Sequence, residues 1–177
     1  YSRIGGFEIY LSRPELGSSL WETILEAGRS ENIRPGSPNI IDRVEAGLLS
    51  YGNEMTVENT PLECNMDKFL DINKEADYIG KKVLQRQIRY GIKRRIRGVI
   101  YKGPKLPTIS RPLQVFDVDK RTIVGSLTSG AFSPHFKSNI GVGMVKYGYW
   151  DNNKKILVNI ADQEFREGLI KDLPLIQ

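Results

Sequence analysis

Ile123-Val124-Gly125-Ser126-Leu127-Thr128, followed beyond a Ser133-Pro134 turn by Ile140-Gly141-Val142-Gly143-Met144-Val145, is the stretch that decides the fold. Both runs are short, rich in apolar and β-branched residues, and bounded by turn formers. That is the pattern of a strand, not of a helix. Three more runs of this kind surround them: Arg97–Tyr101, Leu113–Val118 and Lys154–Ile160. Turn signals at Gly103-Pro104, Asp117–Lys120 and Asp151–Asn153 separate them. Short strands interrupted this regularly predict a small antiparallel barrel or sandwich.

Upstream the spacing changes. Phe7, Ile9 and Leu11 alternate with Glu8, Tyr10 and Ser12, which predicts a half-buried strand with Glu8 and Tyr10 on its polar face. Ser12 is a candidate N-cap and Pro14 suits a first helical turn. Leu16, Leu20, Ile24 and Ala27 then recur at helical spacing as far as Gly28. A second helix is predicted from Pro38, burying Ile40, Ile41, Val44, Leu48 and Leu49 and stopping at Ser50-Tyr51-Gly52-Asn53. A third is predicted over Tyr78–Tyr90, stopped by Gly91. The composition shift places a domain boundary near residues 91–96.

Composition excludes several function classes. The chain has 177 residues, 40% hydrophobic and 27% charged, an ordinary globular balance. No apolar run approaches the ~20 residues of a spanning helix, so no membrane association is expected. Tyr1-Ser2-Arg3-Ile4-Gly5-Gly6 lacks a signal-peptide core and an initiator Met, so the natural start is expected to precede Tyr1. Cys64 is the single cysteine and His135 the single histidine, which excludes an internal disulfide and a Cys/His zinc site. A reducing, cytoplasmic location and no metal are expected. The net charge of +5 is uneven: Lys81, Lys82, Arg86, Arg89, Lys93, Arg94, Arg95 and Arg97 follow one another with no acidic residue between them. The plain reading is a solvated helix face and a linker. No RNP aromatic pair, KH loop or helix-turn-helix spacing points to RNA or DNA, so nucleic acid is not the expected partner.

Few constellations carry chemistry. No Walker loop or GxGxxG is present. Ser133 and His135 lack an orienting carboxylate, so His135 reads as a structural residue at a strand turn. Gly5-Gly6 and Ser129-Gly130 read as turns or close backbone approaches, and Glu63 with Asp67 as a solvated pair. Cys64 lacks electropositive company and reads as structural. Glu8 and Tyr10 stand apart, with Tyr1 before them across a Gly-Gly turn. A carboxylate accepts two hydrogen bonds from an amino-pyrimidine edge, and aromatic rings stack on a flat heterocycle. The competing reading is an ordinary solvent face of an edge strand.

An ordered set of motifs then resembles the glycine-cleavage T-protein (aminomethyltransferase) superfamily. It comprises Asp42-Arg43-Val44-Glu45-Ala46-Gly47-Leu48-Leu49-Ser50-Tyr51-Gly52-Asn53-Glu54, Thr60-Pro61-Leu62-Glu63, Asp77-Tyr78-Ile79-Gly80-Lys81-Lys82-Val83-Leu84, and Gly125–Gly130 followed by Ser133-Pro134. Tyr1–Tyr10, Ser37–Glu45, Glu63-Cys64 and Ser133-Pro134-His135-Phe136 are similar to the dimethylsulfoniopropionate demethylase branch of that superfamily. Asn39 stands where aminomethyltransferases proper usually carry a folate-holding Arg.

The resemblance implies a fold: an α+β, mostly ferredoxin-like folate-binding lobe over residues 1–90, then a small antiparallel β-barrel over 96–177. It implies a tetrahydrofolate-dependent methyltransferase or demethylase taking a one-carbon group from a small zwitterionic methyl donor. Glu8, Tyr10 and Tyr1 are the implied folate-binding residues. No catalytic residue is assigned. The implied partner is the amino-terminal half of the same protein, carrying most of the donor pocket. A non-catalytic folate- or RNA-binding module of the same superfamily is the alternative.

Overall fold

The computed structural model describes residues 5–37 and 39–176. Its strands are β1 (Arg94–Tyr101), β2 (Leu113–Phe116), β3 (Ile123–Ser133), β4 (Ser138–Lys146), β5 (Lys155–Ala161) and β6 (Glu164–Lys171). They close into an antiparallel barrel in the order β1-β4-β3-β2-β5-β6, with β6 returning to β1. β3 and β4 form a hairpin whose register runs from Gly125 opposite Val145 to Ser133 opposite Ser138. β6 has no counterpart among the expected strands, because Glu164, Arg166, Glu167 and Lys171 dilute its apolar signal. The barrel needs it: β6 pairs with both β5 and β1, and without it the sheet would have two open edges.

Strand alternation sorts the apolar residues into two clusters. Val99, Tyr101, Val115, Val124, Leu127, Val145, Ile156, Val158 and Ile170 form one buried cluster within the barrel. Ile96, Ile140 and Val142 form the second with Val44, joined by Ile40, Leu49, Leu173 and Leu175. β1 therefore serves both, with Val99 in the first and Ile96 in the second. Strands β3 and β4 also approach closely. A Cβ on Gly143 would run into the carbonyl oxygen of Ser126 and the Cα of Leu127.

The helices are shorter than their apolar patterns. A 3-10 turn at Pro14–Leu16 leads into α1 (Gly17–Ala27). The N-cap position of the turn is Arg13 and that of α1 is Leu16, neither with a side-chain cap bond, so Ser12 caps neither. α2 spans Ile40–Glu45, and Asn39 caps it by accepting from the Ile41 N–H at 2.9 Å. Pro38, the expected opener, lies outside the described residues. α2 ends well before Ser50, because Gly47 takes φ +66° and the chain turns back with Leu48 N–H on the Arg43 carbonyl. A helix-spaced apolar run is satisfied here by a helix and a turn against one surface. α3 spans Lys81–Tyr90; the Lys81 ammonium binds the carbonyls of Lys74, Glu75 and Ala76, holding the preceding residues as a loop.

The expected strand at Phe7–Ser12 does not form: these residues carry no strand, and Phe7 is 99% exposed. A strand is held by a neighbour's backbone, and no described segment pairs with this one. Among the described residues before β1 the regular elements are helical, so the sheet of a ferredoxin-like lobe is not assembled by this stretch alone. α1 likewise buries none of its residues.

Gly143→Ala should push β3 and β4 apart and lower stability by about 1–3 kcal/mol, the usual range for overpacking. Gly36→Ala, with open space around it, serves as the control. Urea unfolding midpoints are the measurement, and equal midpoints for the two variants would contradict the close-approach argument.

Candidate functional site

Glu8 and Tyr10 do come together, though not on a strand. The Tyr10 hydroxyl donates to Glu8 Oε2 at 2.5 Å, and both residues are exposed. That hydrogen bond, rather than burial, is the main cause holding the Tyr10 phenol above its ordinary pKa. The pair presents a carboxylate and an aromatic ring to open space, with Phe7 and Ile9 equally uncovered beside it. Tyr1 lies outside the described residues.

The motif segment Asp42–Glu54 builds the frame that ties α2 to the barrel. Arg43 is buried, and its guanidinium donates to both carboxylate oxygens of Glu54, at 2.9 and 3.2 Å. It also donates to the Leu48 carbonyl at 2.8 Å and to Ser129 Oγ on β3 at 2.6 Å. Glu54 in turn accepts from the Ser50 N–H at 2.6 Å. Two residues further along, buried Glu45 accepts from Ser133 Oγ at 2.5 Å, and its own carbonyl accepts from Leu175 and Ile176 N–H. Ser133 is thus committed to Glu45 and the Phe136 N–H, while His135 lies edge-on to Phe136 in the hairpin turn.

Glu63 is not the solvated acid that the sequence suggests. It is buried, accepts from Arg94 Nε at 3.1 Å and from the Thr60 N–H at 3.0 Å, and gives its carbonyl to Ile96 N–H. Asp67 instead opens a separate 3-10 turn. Sequence reasoning missed this frame because charged residues next to buried ones read as surface. The available signal was that Arg43 and Glu45 flank Val44 on both sides within an apolar run.

Cys64 is buried and lines a cavity of about 540 Å³ together with Leu48, Leu49, Met66, Phe69 and Leu173. Burial pushes its thiol up, the Glu63 carboxylate adds to this, and Arg94 opposes it. Among the described residues no group of three His, Cys, Asp or Glu side chains could hold a metal ion. Among the described residues no helix is long and apolar enough to cross a membrane.

Fold and frame define the class: a closed six-stranded antiparallel barrel onto which a capped helix is clamped by buried ionic and hydroxyl contacts. Known families match in the same order. Residues 1–74 match the GCVT N-terminal domain, and residues 94–173 match the glycine cleavage T-protein C-terminal barrel domain. Dimethylsulfoniopropionate demethylase DmdA of Ruegeria pomeroyi is 45% identical over 150 residues, covering 85% of this chain and 40% of that protein. An aminomethyltransferase of Caldanaerobacter subterraneus is 36% identical over 172 residues, covering 96% of this chain and 44% of that protein. The solved aminomethyltransferase T of the Bartonella henselae glycine cleavage system superposes with a TM-score of 0.74 over 92% of this chain and 44% of that one, at 20% identity, which shows a shared fold. The chain belongs to the glycine-cleavage T-protein superfamily, and it spans less than half the length of these relatives.

Arg43→Met leaves the Glu54 carboxylate buried without its cation and should cost about 3–5 kcal/mol, read from chemical unfolding. Replacing both, as Arg43→Met with Glu54→Leu, should recover much of that loss. A single variant as stable as the parent would show that the pair is not buried as described. Cys64 in the folded chain should resist iodoacetamide at pH 8 and react on unfolding, because the thiolate is disfavoured. Labelling at the rate of a free thiol would contradict its burial.

Proposed function

We propose that this chain forms part of a tetrahydrofolate-dependent one-carbon transferase and supplies one wall of its folate site. The observation that carries the reading is the exposed, hydrogen-bonded Glu8–Tyr10 pair, within the stretch that matches the GCVT N-terminal domain. The residues fit the group: a carboxylate to accept from an amino-pyrimidine edge, and an uncovered ring to stack on it. Tyr1 joins them as a third, aromatic contact. When bound, tetrahydrofolate supplies a ring nitrogen that accepts the one-carbon unit. The work of the protein is then to orient that ring against the donor. Glu8 fixes the ring edge and Tyr10 fixes the position of the Glu8 carboxylate.

The proposed donor is a small zwitterion carrying an activated methyl or methylene group. Likeness to a dimethylsulfoniopropionate demethylase supports a sulfonium, and likeness to aminomethyltransferases supports a methylated glycine. The proposed domains are residues 1–90, part of the folate-binding domain, and 96–177, the barrel. The uncovered apolar side chains of Phe7, Ile9 and Trp21 suit contact with an amino-terminal half of the same protein. That half would also complete the strand ladder missing at Phe7–Ser12 and hold most of the donor pocket. A cytoplasmic location is part of the same proposal.

In the protein that carries this chain together with its amino-terminal half, Glu8→Gln should weaken tetrahydrofolate binding roughly 10- to 100-fold, the loss of a charge-assisted hydrogen bond. Isothermal titration measures it, and an unchanged dissociation constant would remove Glu8 from the site. The 177-residue chain alone should give no methyl-tetrahydrofolate with sulfonium or methylamine donors. One wall cannot hold donor and folate nitrogen at the ~3–3.5 Å needed for attack. Robust turnover by the chain alone would place the whole catalytic apparatus within it.

A further inference from the structure

The basic run left unexplained by the folate reading takes on a definite geometry in the fold. Lys82, Arg86 and Arg89 recur every three or four residues along α3, so they form one stripe with neighbours ~5–6 Å apart, and Lys93 follows two residues past Gly91, where the helix ends. Among the described residues none of the four forms an ion pair; Glu63, an acid that lines the neighbouring cleft, is taken by Arg94. Beside the stripe lies a cleft of about 1060 Å³. One wall is the α3 face of Val83, Arg86, Gln87 and Tyr90, and the other carries Lys93 and Tyr147 at the end of β4.

The cleft is aromatic as well as cationic. Tyr90 and Tyr147 are both about seven-tenths exposed, at 71% and 72%. The Tyr147 ring stands edge-on to Trp150 at 5.1 Å, and the Arg95 guanidinium lies over Trp150 at 5.8 Å.

We propose that this cleft binds single-stranded nucleic acid. The stripe and Lys93 supply cations for a phosphodiester backbone, and the exposed rings of Tyr90 and Tyr147 offer stacking faces for unpaired bases. A duplex hides its base faces and leaves the rings unused. A bilayer is reached by side chains that protrude from the surface, whereas Tyr90 and Tyr147 line a cleft.

The test uses the 177-residue chain and a labelled 12-nucleotide single-stranded RNA, read by fluorescence anisotropy. Four phosphate contacts predict a roughly 50-fold loss of affinity between 50 and 200 mM salt. Arg86→Glu with Arg89→Glu should abolish binding at 100 mM salt, and Tyr147→Ala should weaken it about tenfold at constant salt slope, since stacking carries no charge. Thermal unfolding midpoints should stay unchanged, because these side chains are exposed. Single-stranded DNA should bind comparably. Binding of duplex RNA, heparin or phosphatidylglycerol vesicles as tight as that of the single strand would overturn the proposal in favour of a general polyanion surface. So would no binding at 50 mM salt, or full binding by the Tyr147→Ala variant. Competition by tetrahydrofolate would assign the cleft to the folate site and overturn it too, whereas failure of the Glu8→Gln prediction would leave it standing.

Discussion

Arg43 is a cation taken out of water, and the surrounding structure is arranged to satisfy it. Its guanidinium donates to a carboxylate, a carbonyl and a hydroxyl from three different parts of the chain: Glu54, Leu48 and Ser129. A buried ion pair adds little net stability over an apolar pair of equal volume, because desolvation offsets attraction. What it adds is direction. Apolar contacts alone would let α2 slide over the barrel, since Ile96, Ile140 and Val142 offer a surface without register. A guanidinium with fixed donor directions accepts only the placement in which every donor is met. Glu45 repeats the device two residues on, toward Ser133, and so pins the helix at two points.

From that docking follow the paths of the loop and the tail. Residues 46–54 must fold back tightly enough to bring Glu54 to Arg43, and Gly47 permits the reversal. The reversal leaves room for Leu173, whose side chain reaches Gly47, while Leu175 and Ile176 bond to the Glu45 carbonyl. The tail after β6 therefore closes over the seam between helix and barrel. Motif residues shared with the transferase superfamily serve here to hold one element on another, and conserved-looking patterns of this kind need not touch a ligand.

The two ends of the molecule differ in how much of themselves they satisfy. The barrel closes its own ladder and buries its own core. Residues 5–37 do neither: α1 has no buried residue, Phe7 and Tyr10 stand in solvent, and the alternating run has no strand neighbour. Large exposed apolar side chains on a segment without a ladder are the features of a surface completed by other residues. The known relatives are more than twice as long as the stretch they share with this chain, so length and exposure agree. The polar pair Glu8–Tyr10 sits in this unfinished region, whereas the cationic cleft lies between α3 and the end of β4.

Alternation of apolar residues and spacing of turn formers were enough, in sequence, to place five of the barrel strands, because strand periodicity is a local property. The same local logic marked the three helices and brought Glu8 and Tyr10 to one side. β6 escaped because Glu164, Arg166, Glu167 and Lys171 interrupt its apolar pattern, and only closure against β1 makes it a strand. The length of α2 escaped because a helix and a reversed turn can bury the same spaced residues. Phe7–Ser12 misled for the opposite reason: its pattern describes a surface that needs a partner, and pattern alone cannot supply one. Burial of Arg43, Glu45, Glu54 and Glu63 was decided by tertiary structure alone. A charge is inside only if distant residues complete its hydrogen bonds, and Ser129 and Ser133 stand more than eighty residues away from the groups they satisfy.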